Sequence, residues 1–336
     1  MRLGRRAWSG AWLLVGWLLC TAAQAQPAVQ FAPFSGFNGT TVRFASVDEG
    51  RKVLTADDEW VAATSEFQRW ATMDVAPPVS HDAFLGFQAS VVQPWVPAEQ
   101  ARWRAALESI APAFNALGVH LPKEVLIIVS DGRESADMPY TRGNAVVLPN
   151  ARGSGKGYAD TVLMAHELFH VLTRHDPALA TRLYATIGFE PASPLQWPAA
   201  WLPLRIANPD APHDRHLMRT RIDGREVALM PLLVAKRTTL DRAKGETFFH
   251  VLDVRLVEVL PGAPGLPSTV VMRDGQPVWH PLGQARDYLE RLGGNTGYVI
   301  HPEETMADNF AFLVCGTRVR NPALLERIKA VLRGPA

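Results

Sequence analysis

The sequence predicts an α+β fold, in which helices pack against a mixed or antiparallel sheet. Several stretches place apolar residues at helical spacing, whereas short runs rich in Val, Leu and Phe are bounded by turn residues. Their order along the chain is mixed, which is typical of the α+β class. The 336 residues carry a formal net charge of +1 and are 47% hydrophobic, an ordinary composition for a globular protein.

The first 25 residues are predicted to be a signal peptide that is removed. Arginines at positions 2, 5 and 6 precede a short apolar run, and Ala23-Gln24-Ala25 matches the small-x-small cleavage pattern. We therefore expect cleavage after Ala25 and a periplasmic or extracellular location. No later segment is apolar over the roughly 18 residues that a spanning helix needs, so the mature chain is expected to have no membrane-spanning segment.

Residues 26–120 are predicted to form an N-terminal helical and extended region. Apolar residues at helical spacing predict one helix over 57–72 and a longer one over 97–117. Pro97 suits the first turn of the longer helix, and Gly118 suits its end.

Residues 121–336 are predicted to form the domain that carries the functional site. It begins with two short apolar strands, over 125–129 and 145–148, and the proline-rich stretch 191–215 is predicted to be a long surface loop. Two hairpins and two helices complete it. The hairpin strands cover 227–237 with 246–259 and 269–272 with 277–279, and the helices cover 282–292 and 322–332.

The stretch His166-Glu167-Leu168-Phe169-His170 is the most informative part of the chain. Asp160 is predicted to cap a helix that contains it, and Asp176 to cap the next helix. Positions four apart lie on one helix face, so both imidazoles can reach one metal ion. Glu167 is rotated by about 100° and can contact a water molecule bound to that ion. This HExxH pattern is typical of zinc-dependent hydrolases.

Two glutamates compete to be the third protein ligand that a catalytic zinc site needs. Glu190 follows His170 by twenty residues, but Pro191 and Pro194, which follow it, exclude a helix interior there. Glu304 lies in a helix predicted to start at Pro302, and Asp308 shares its face. We expect Glu304 to bind zinc and Asp308 to hold a ligand histidine through its free N–H. Glu190 stays the alternative ligand.

The HExxH stretch together with Glu304-Thr305-Met306-Ala307-Asp308 resembles the gluzincin group of zinc metallopeptidases, and is similar to its prenyl-protease-like members. The resemblance covers about residues 160–175 and 298–314. It implies a zincin-like arrangement of active-site helices against a sheet within 121–336. The implied roles are zinc binding by His166, His170 and Glu304, general-base catalysis by Glu167, and orientation of a histidine by Asp308.

The expected function is that of an exported zinc-dependent metallopeptidase, in which a zinc-bound water activated by Glu167 hydrolyses a peptide bond. The expected cofactor is Zn2+ and the expected partner is a peptide or protein substrate. The near-neutral net charge argues against a nucleic-acid partner. Tyr298 and His301 are the leading candidates for an oxyanion donor. The strand over 144–148 is predicted to be an edge strand that pairs with extended substrate.

Two alternative functions stay open. The chain is either an exported zinc- or peptide-binding protein with a degenerate peptidase cleft, or a hydrolase of non-peptide amides in the cell envelope. The intact Glu167 speaks against the first, because a pure binding protein needs no base at that position. After cleavage Cys315 is the one remaining cysteine, so no internal disulfide is expected.

Overall fold

The computed structural model describes residues 32–150 and 159–334. The predicted signal peptide lies outside these residues. The described residues combine helices with mixed sheets, which confirms the α+β class. Among them, no helix has both the length and the apolar character needed to cross a bilayer.

Eleven α-helices occur in the described residues. In chain order they are α1 (Val47–Leu54), α2 (Glu59–Ala63), α3 (Glu66–Met73), α4 (His81–Ser90), α5 (Pro97–Leu117), α6 (Asp160–His175), α7 (Pro177–Ala185), α8 (Phe248–Val251), α9 (Arg286–Arg291), α10 (Pro302–Val314) and α11 (Pro322–Arg333). Three short 3-10 helices cover Ala199–Leu204, Arg242–Lys244 and Leu282–Gln284.

Fourteen short strands occur in the same residues. They are β1 (Phe34–Phe37), β2 (Thr40–Phe44), β3 (Glu124–Ser130), β4 (Tyr140–Arg142), β5 (Ala145–Pro149), β6 (Phe189–Pro191), β7 (Leu195–Gln196), β8 (His216–Ile222), β9 (Arg225–Ala235), β10 (Leu252–Leu260), β11 (Ser268–Val270), β12 (Met272–Arg273), β13 (Gln276–Pro277) and β14 (Trp279–Pro281).

The first sheet has five strands in the order β1-β2-β3-β5-β4. Strands β2, β3 and β5 are parallel, whereas β1 and β4 are antiparallel to their neighbours. The prediction that 144–148 forms an edge strand is wrong, because β5 lies between β3 and β4. The sheet therefore ends at β4, which pairs with β5 on one side only.

The second sheet follows the order β6-β8-β9-β10-β11-β7, and β14 also pairs with β10. The predicted hairpin of 227–237 with 246–259 is confirmed as the antiparallel pair β9 and β10. The prediction of a surface loop over 191–215 is wrong in part. That stretch contains β7 and a 3-10 helix, and its residues Asn208 and Asp210 reach the centre described below.

Helices α5, α6 and α10 pack together in the largest apolar core of the described residues. The Phe310 ring of α10 lies 5.1 Å from the Phe114 ring of α5 and 5.2 Å from the Phe169 ring of α6. Ala307 is fully buried, and its small side chain lets α10 approach α6 closely. This packing brings together two segments that are far apart in sequence.

Hydrogen bonds and backbone conformations at the helix ends explain which helix predictions are confirmed and which are wrong. Helix α5 has the predicted bounds because Gly118 adopts the left-handed conformation, with φ at +70°, and ends it. Asp176 caps α7 through the Leu179 amide, as predicted. The single helix predicted over 57–72 is wrong. Ser65 accepts a hydrogen bond from the Gln68 amide and starts α3 as a separate helix.

Candidate metal centre

Helix α6 presents His166 and His170 on one face, one turn apart, as their spacing requires. The helix starts at Asp160, with Ala159 as its N-cap, so the prediction of Asp160 as the cap is wrong. The Asp160 carboxylate instead accepts hydrogen bonds of 2.5 Å from the Arg102 guanidinium on α5. That ion pair attaches the start of α6 to the neighbouring helix.

Helix α10 brings Glu304 against these two imidazoles. The Nε2 atoms of His166 and His170 lie 3.3 Å and 3.5 Å from Glu304 Oε2. One ligand atom from each of the three residues lies within 4.8 Å of the other two, and all three residues are buried. Residues that are more than 130 positions apart in sequence thus form a single cluster that could hold a metal ion.

A carboxylate on α10 holds the Nδ1 atom of each imidazole. His166 Nδ1 lies 2.9 Å from Asp308 Oδ1, and His170 Nδ1 lies 2.7 Å from Glu303 Oε1. Each Nδ1–H donates to its carboxylate, so a cation that displaces the proton of Nε2 would find the lone pair of that nitrogen directed at it. The Thr173 hydroxyl also donates to Glu303, at 2.7 Å, and steadies that carboxylate.

Glu167 and Asp210 flank the cluster on the side of His170. One ligand atom from each of these three residues lies within 4.8 Å of the other two, so His170 belongs to two overlapping groups. Glu167 Oε2 is buried and has no hydrogen-bond partner. The Asp210 carboxylate accepts hydrogen bonds from the Thr141 amide and hydroxyl. These two carboxylates therefore lie together beside His170.

The electrostatics of the cluster reflect the crowding of carboxylates around two imidazoles. Burial alone would raise the pKa of Glu304, but the charge of His170 and the hydrogen bond from His166 outweigh it and lower the pKa to about 2. Burial lowers the pKa of His170, yet the charges of Asp210 and Glu304 outweigh it and raise the pKa to about 9. Burial and the charge of Asp210 raise the pKa of Glu167 to about 7.

The residues present fit a tetrahedral metal ion. Zinc bound to imidazole nitrogen and carboxylate oxygen at ~2.0–2.1 Å needs those donor atoms roughly 3.3 Å apart, and the observed separations are 3.3 Å and 3.5 Å. His170 Nε2 is buried without a hydrogen-bond partner, which is costly unless something fills the space it faces. Two imidazoles and one carboxylate form a donor set that several transition metals accept.

The other candidates from the sequence lie in different places. Glu190 is outside the cluster, because it lies in β6 and its Oε1 accepts a hydrogen bond of 2.8 Å from Arg219. The Tyr298 ring stacks on the His166 ring, with centroids 6.2 Å apart. His301 is the N-cap of α10, and its Nδ1 accepts from the Glu303 amide.

Sequence reasoning missed three residues of the centre. Glu303 lies beside Glu304 at the start of the predicted helix, and that position was a usable signal. Asn208 donates from Nδ2 to Glu304 Oε1, at 2.5 Å, and Asp210 lies beside His170. Both belong to the stretch interpreted as a surface loop, where no periodicity marks a residue that turns inward.

Comparisons with known proteins add no relative from which a function could be transferred. No protein-family model, no curated protein and no solved structure matches the chain.

Proposed function

We propose that the protein is an exported, zinc-dependent metallopeptidase of the gluzincin type. The observation that carries this proposal is the meeting of α6 and α10, where two imidazole Nε2 atoms lie 3.3 Å and 3.5 Å from one carboxylate oxygen. A catalytic zinc site combines three such ligands with an open position. A base beside the open position is the further requirement, and Glu167 meets it.

His166, His170 and Glu304 would hold the cation, and Asp308 and Glu303 would keep the imidazoles in the tautomer that binds it. When bound, zinc supplies a Lewis acid that polarises a carbonyl oxygen and acidifies water. Glu167 Oε2 accepts the proton of the attacking water and passes it to the leaving amine nitrogen. Tyr298, whose ring stacks on the His166 ring, is our candidate for a hydrogen bond to the oxyanion.

A peptide substrate suits the edge of the first sheet. Strand β4 pairs with β5 on one side only, and its outward-facing Thr141 amide, which donates to Asp210, is the group that an added strand would use. Arg174 of α6 donates hydrogen bonds to the Thr141 hydroxyl on β4 and to the carbonyl oxygen of Gly143, the residue that follows β4. These bonds attach this edge to the helix that carries the histidines. An extended chain along β4 would therefore run past the metal centre.

Two measurements on the purified protein test the proposal. We expect about one equivalent of zinc in the unaltered protein and in Glu190→Ala, and little in Glu304→Ala. Glu167→Gln should keep its zinc but hydrolyse casein at least about 100-fold more slowly, because it has lost the general base. Equal hydrolysis by Glu167→Gln and the unaltered protein would refute the peptidase proposal.

One observation favours the second candidate, a zinc-binding protein with a closed cleft. Asn208 hydrogen-bonds Glu304, and Asp210 lies beside Glu167, so a loop covers the side of the centre that a substrate would need. Zinc retained without hydrolysis of any peptide, in the unaltered protein and in variants of that loop, would favour this candidate.

A further inference from the structure

Residues 206–212, which we name the covering segment, run directly beside the metal centre. Asn208 Nδ2 donates to Oε1 of Glu304, the oxygen not directed at the histidines. Two residues later, the Asp210 carboxylate joins Glu167 and His170 within 4.8 Å. The segment thus contacts a predicted ligand from one side and faces the predicted base from the other.

Several buried contacts hold the covering segment in this position. The Gln68 side chain on α3 makes two hydrogen bonds of 2.8 Å with the backbone of Ala207. Its Nε2 donates to the carbonyl oxygen, and its Oε1 accepts from the amide. Arg174 on α6 donates to the carbonyl oxygens of Pro209 and Asp210, at 3.2 Å and 3.5 Å. Arg174 also donates to Gly143 O. The segment is therefore fixed to the same helix that carries the two histidines.

Asp210 also occupies the edge of the first sheet. Its Oδ1 accepts from the Thr141 amide at 2.7 Å and from the Thr141 hydroxyl at 2.6 Å. Thr141 lies on β4, and this amide points away from β5, the direction from which an added strand would pair. A carboxylate of the protein thus takes the hydrogen bond that an extended substrate would make there.

The covering segment separates two cavities. One, of about 500 Å³, is lined by polar residues that include His170, Arg174 and His213. The other, of about 270 Å³, is mostly apolar and is lined by Trp60 and Phe248 among others. Asp210 lines both cavities. Withdrawal of the segment would join them into one groove that passes the metal centre.

We propose that Asp210 is a further residue of the metal centre. Its carboxylate is displaceable, covers the coordination position that the three protein ligands leave free, and so keeps the peptidase latent. The inference rests on the proposed function, since it assigns a regulation to that same site. In the described conformation, Asp210 stands where a water molecule and a substrate carbonyl must enter. Release of the Asp210–Thr141 contact opens the groove along β4 and exposes Glu167 to substrate.

The test uses the full chain loaded with Co2+, whose visible spectrum reports its ligands, and acetohydroxamate as a small anionic probe. We expect the spectrum of the unaltered protein to respond weakly to the probe. Asp210→Asn should retain one equivalent of Co2+ and bind acetohydroxamate at least tenfold more tightly. Thr141→Val, which keeps the carboxylate but loses one of its donors, should shift the affinity in the same direction. Peptide hydrolysis should rise in both variants.

Asp214→Asn is the matched control, because it makes the same change on the same stretch of chain. Asp214 accepts from Trp197 and Arg205 and belongs to neither group of the centre, so probe binding should equal that of the unaltered protein. Equal probe affinity in Asp210→Asn and the unaltered protein would overturn the inference, as would complete loss of Co2+ from Asp210→Asn. Failure of the unaltered protein to bind Co2+ would instead remove the proposed function, and the inference with it.

Discussion

Asp308 Oδ1 lies 2.9 Å from His166 Nδ1, although 142 residues separate them in the chain. The carboxylate is fully buried and also accepts a hydrogen bond from the Thr296 hydroxyl. It therefore fixes both the orientation of the imidazole and the nitrogen that carries the proton. The other imidazole is held in the same way by Glu303, so helix α10 supplies one residue of the cluster that could hold a metal ion and both carboxylates that hold its imidazoles.

Asp308→Asn should weaken zinc binding by about 10- to 100-fold, because the amide no longer fixes the proton on His166 Nδ1 or raises the basicity of Nε2. Competition with a chromophoric zinc chelator measures this change. Asp287→Asn is the control, since Asp287 bonds the Thr220 hydroxyl on β8 and should leave zinc affinity unchanged. Equal affinity in Asp308→Asn and Asp287→Asn would show that the Asp308 contact does not support the ligand.

Phe310→Ala should destabilise the fold by about 3–5 kcal/mol, because its fully buried ring packs between Phe114 and Phe169 and leaves a cavity between three helices. Urea unfolding with circular dichroism measures the free energy of unfolding. Phe249→Ala makes the same change at a side chain that is 44% exposed, and should cost less than about 1 kcal/mol. Similar losses in both variants would contradict the packing described for α10.

Much of the fold follows from local signals, which is why the bounds of α5 and the start of α10 could be predicted. Gly118 ends α5 through its own backbone preference, and Pro302 starts α10 for the same kind of reason. The break at Ser65 was missed because apolar residues continue at helical spacing on both sides of it. Only the capping hydrogen bond to the Gln68 amide marks the new helix.

The non-local parts could not be predicted in the same way. The apolar sequence of β5 suits an edge strand as well as an interior strand. Only its pairing with both β3 and β4 shows that it lies inside the sheet. The inward direction of Asn208 and Asp210 depends on tertiary contacts with Glu304 and Thr141. The histidine pair was visible because helical spacing alone places it on one face.

Protonation of His216 should lower the free energy of unfolding as the pH falls. Burial, followed by the positive charges of Arg215 and His213, lowers the pKa of His216 to about 4. Its stabilising contribution is present above the unfolded value near 6.5 and is lost as pH falls from there toward 4. Between pH 7 and pH 5 this loss is about 2 kcal/mol.

The variant His216→Phe isolates that contribution, because an aromatic ring still packs against Tyr184, whose ring lies 4.8 Å away. The free energy of unfolding should fall by about 2 kcal/mol less in the variant than in the unaltered protein between pH 7 and pH 5. Titrating groups that do not interact with His216 are common to both proteins and cancel in the difference. An identical fall in the two proteins would show that His216 is not buried in its neutral form.

Zinc should stabilise the folded chain, and the effect of zinc on Tm should distinguish variants of the proposed ligands from a variant of the proposed base. A cation that binds the native state at 100 times its Kd adds about 2.7 kcal/mol to the free energy of unfolding, because the unfolded chain has no assembled site. The Tm of the unaltered protein should therefore rise with zinc and fall again with a chelator.

The Tm of His166→Ala and of Glu304→Ala should not respond to zinc, because each substitution removes an atom of the cluster. Glu167→Gln should respond fully, because the amide keeps the shape of a residue whose Oε2 has no partner in the described structure. Loss of the zinc response in Glu167→Gln would mean that this side chain binds the metal, and the assignment of Glu167 as the base would then have to be abandoned.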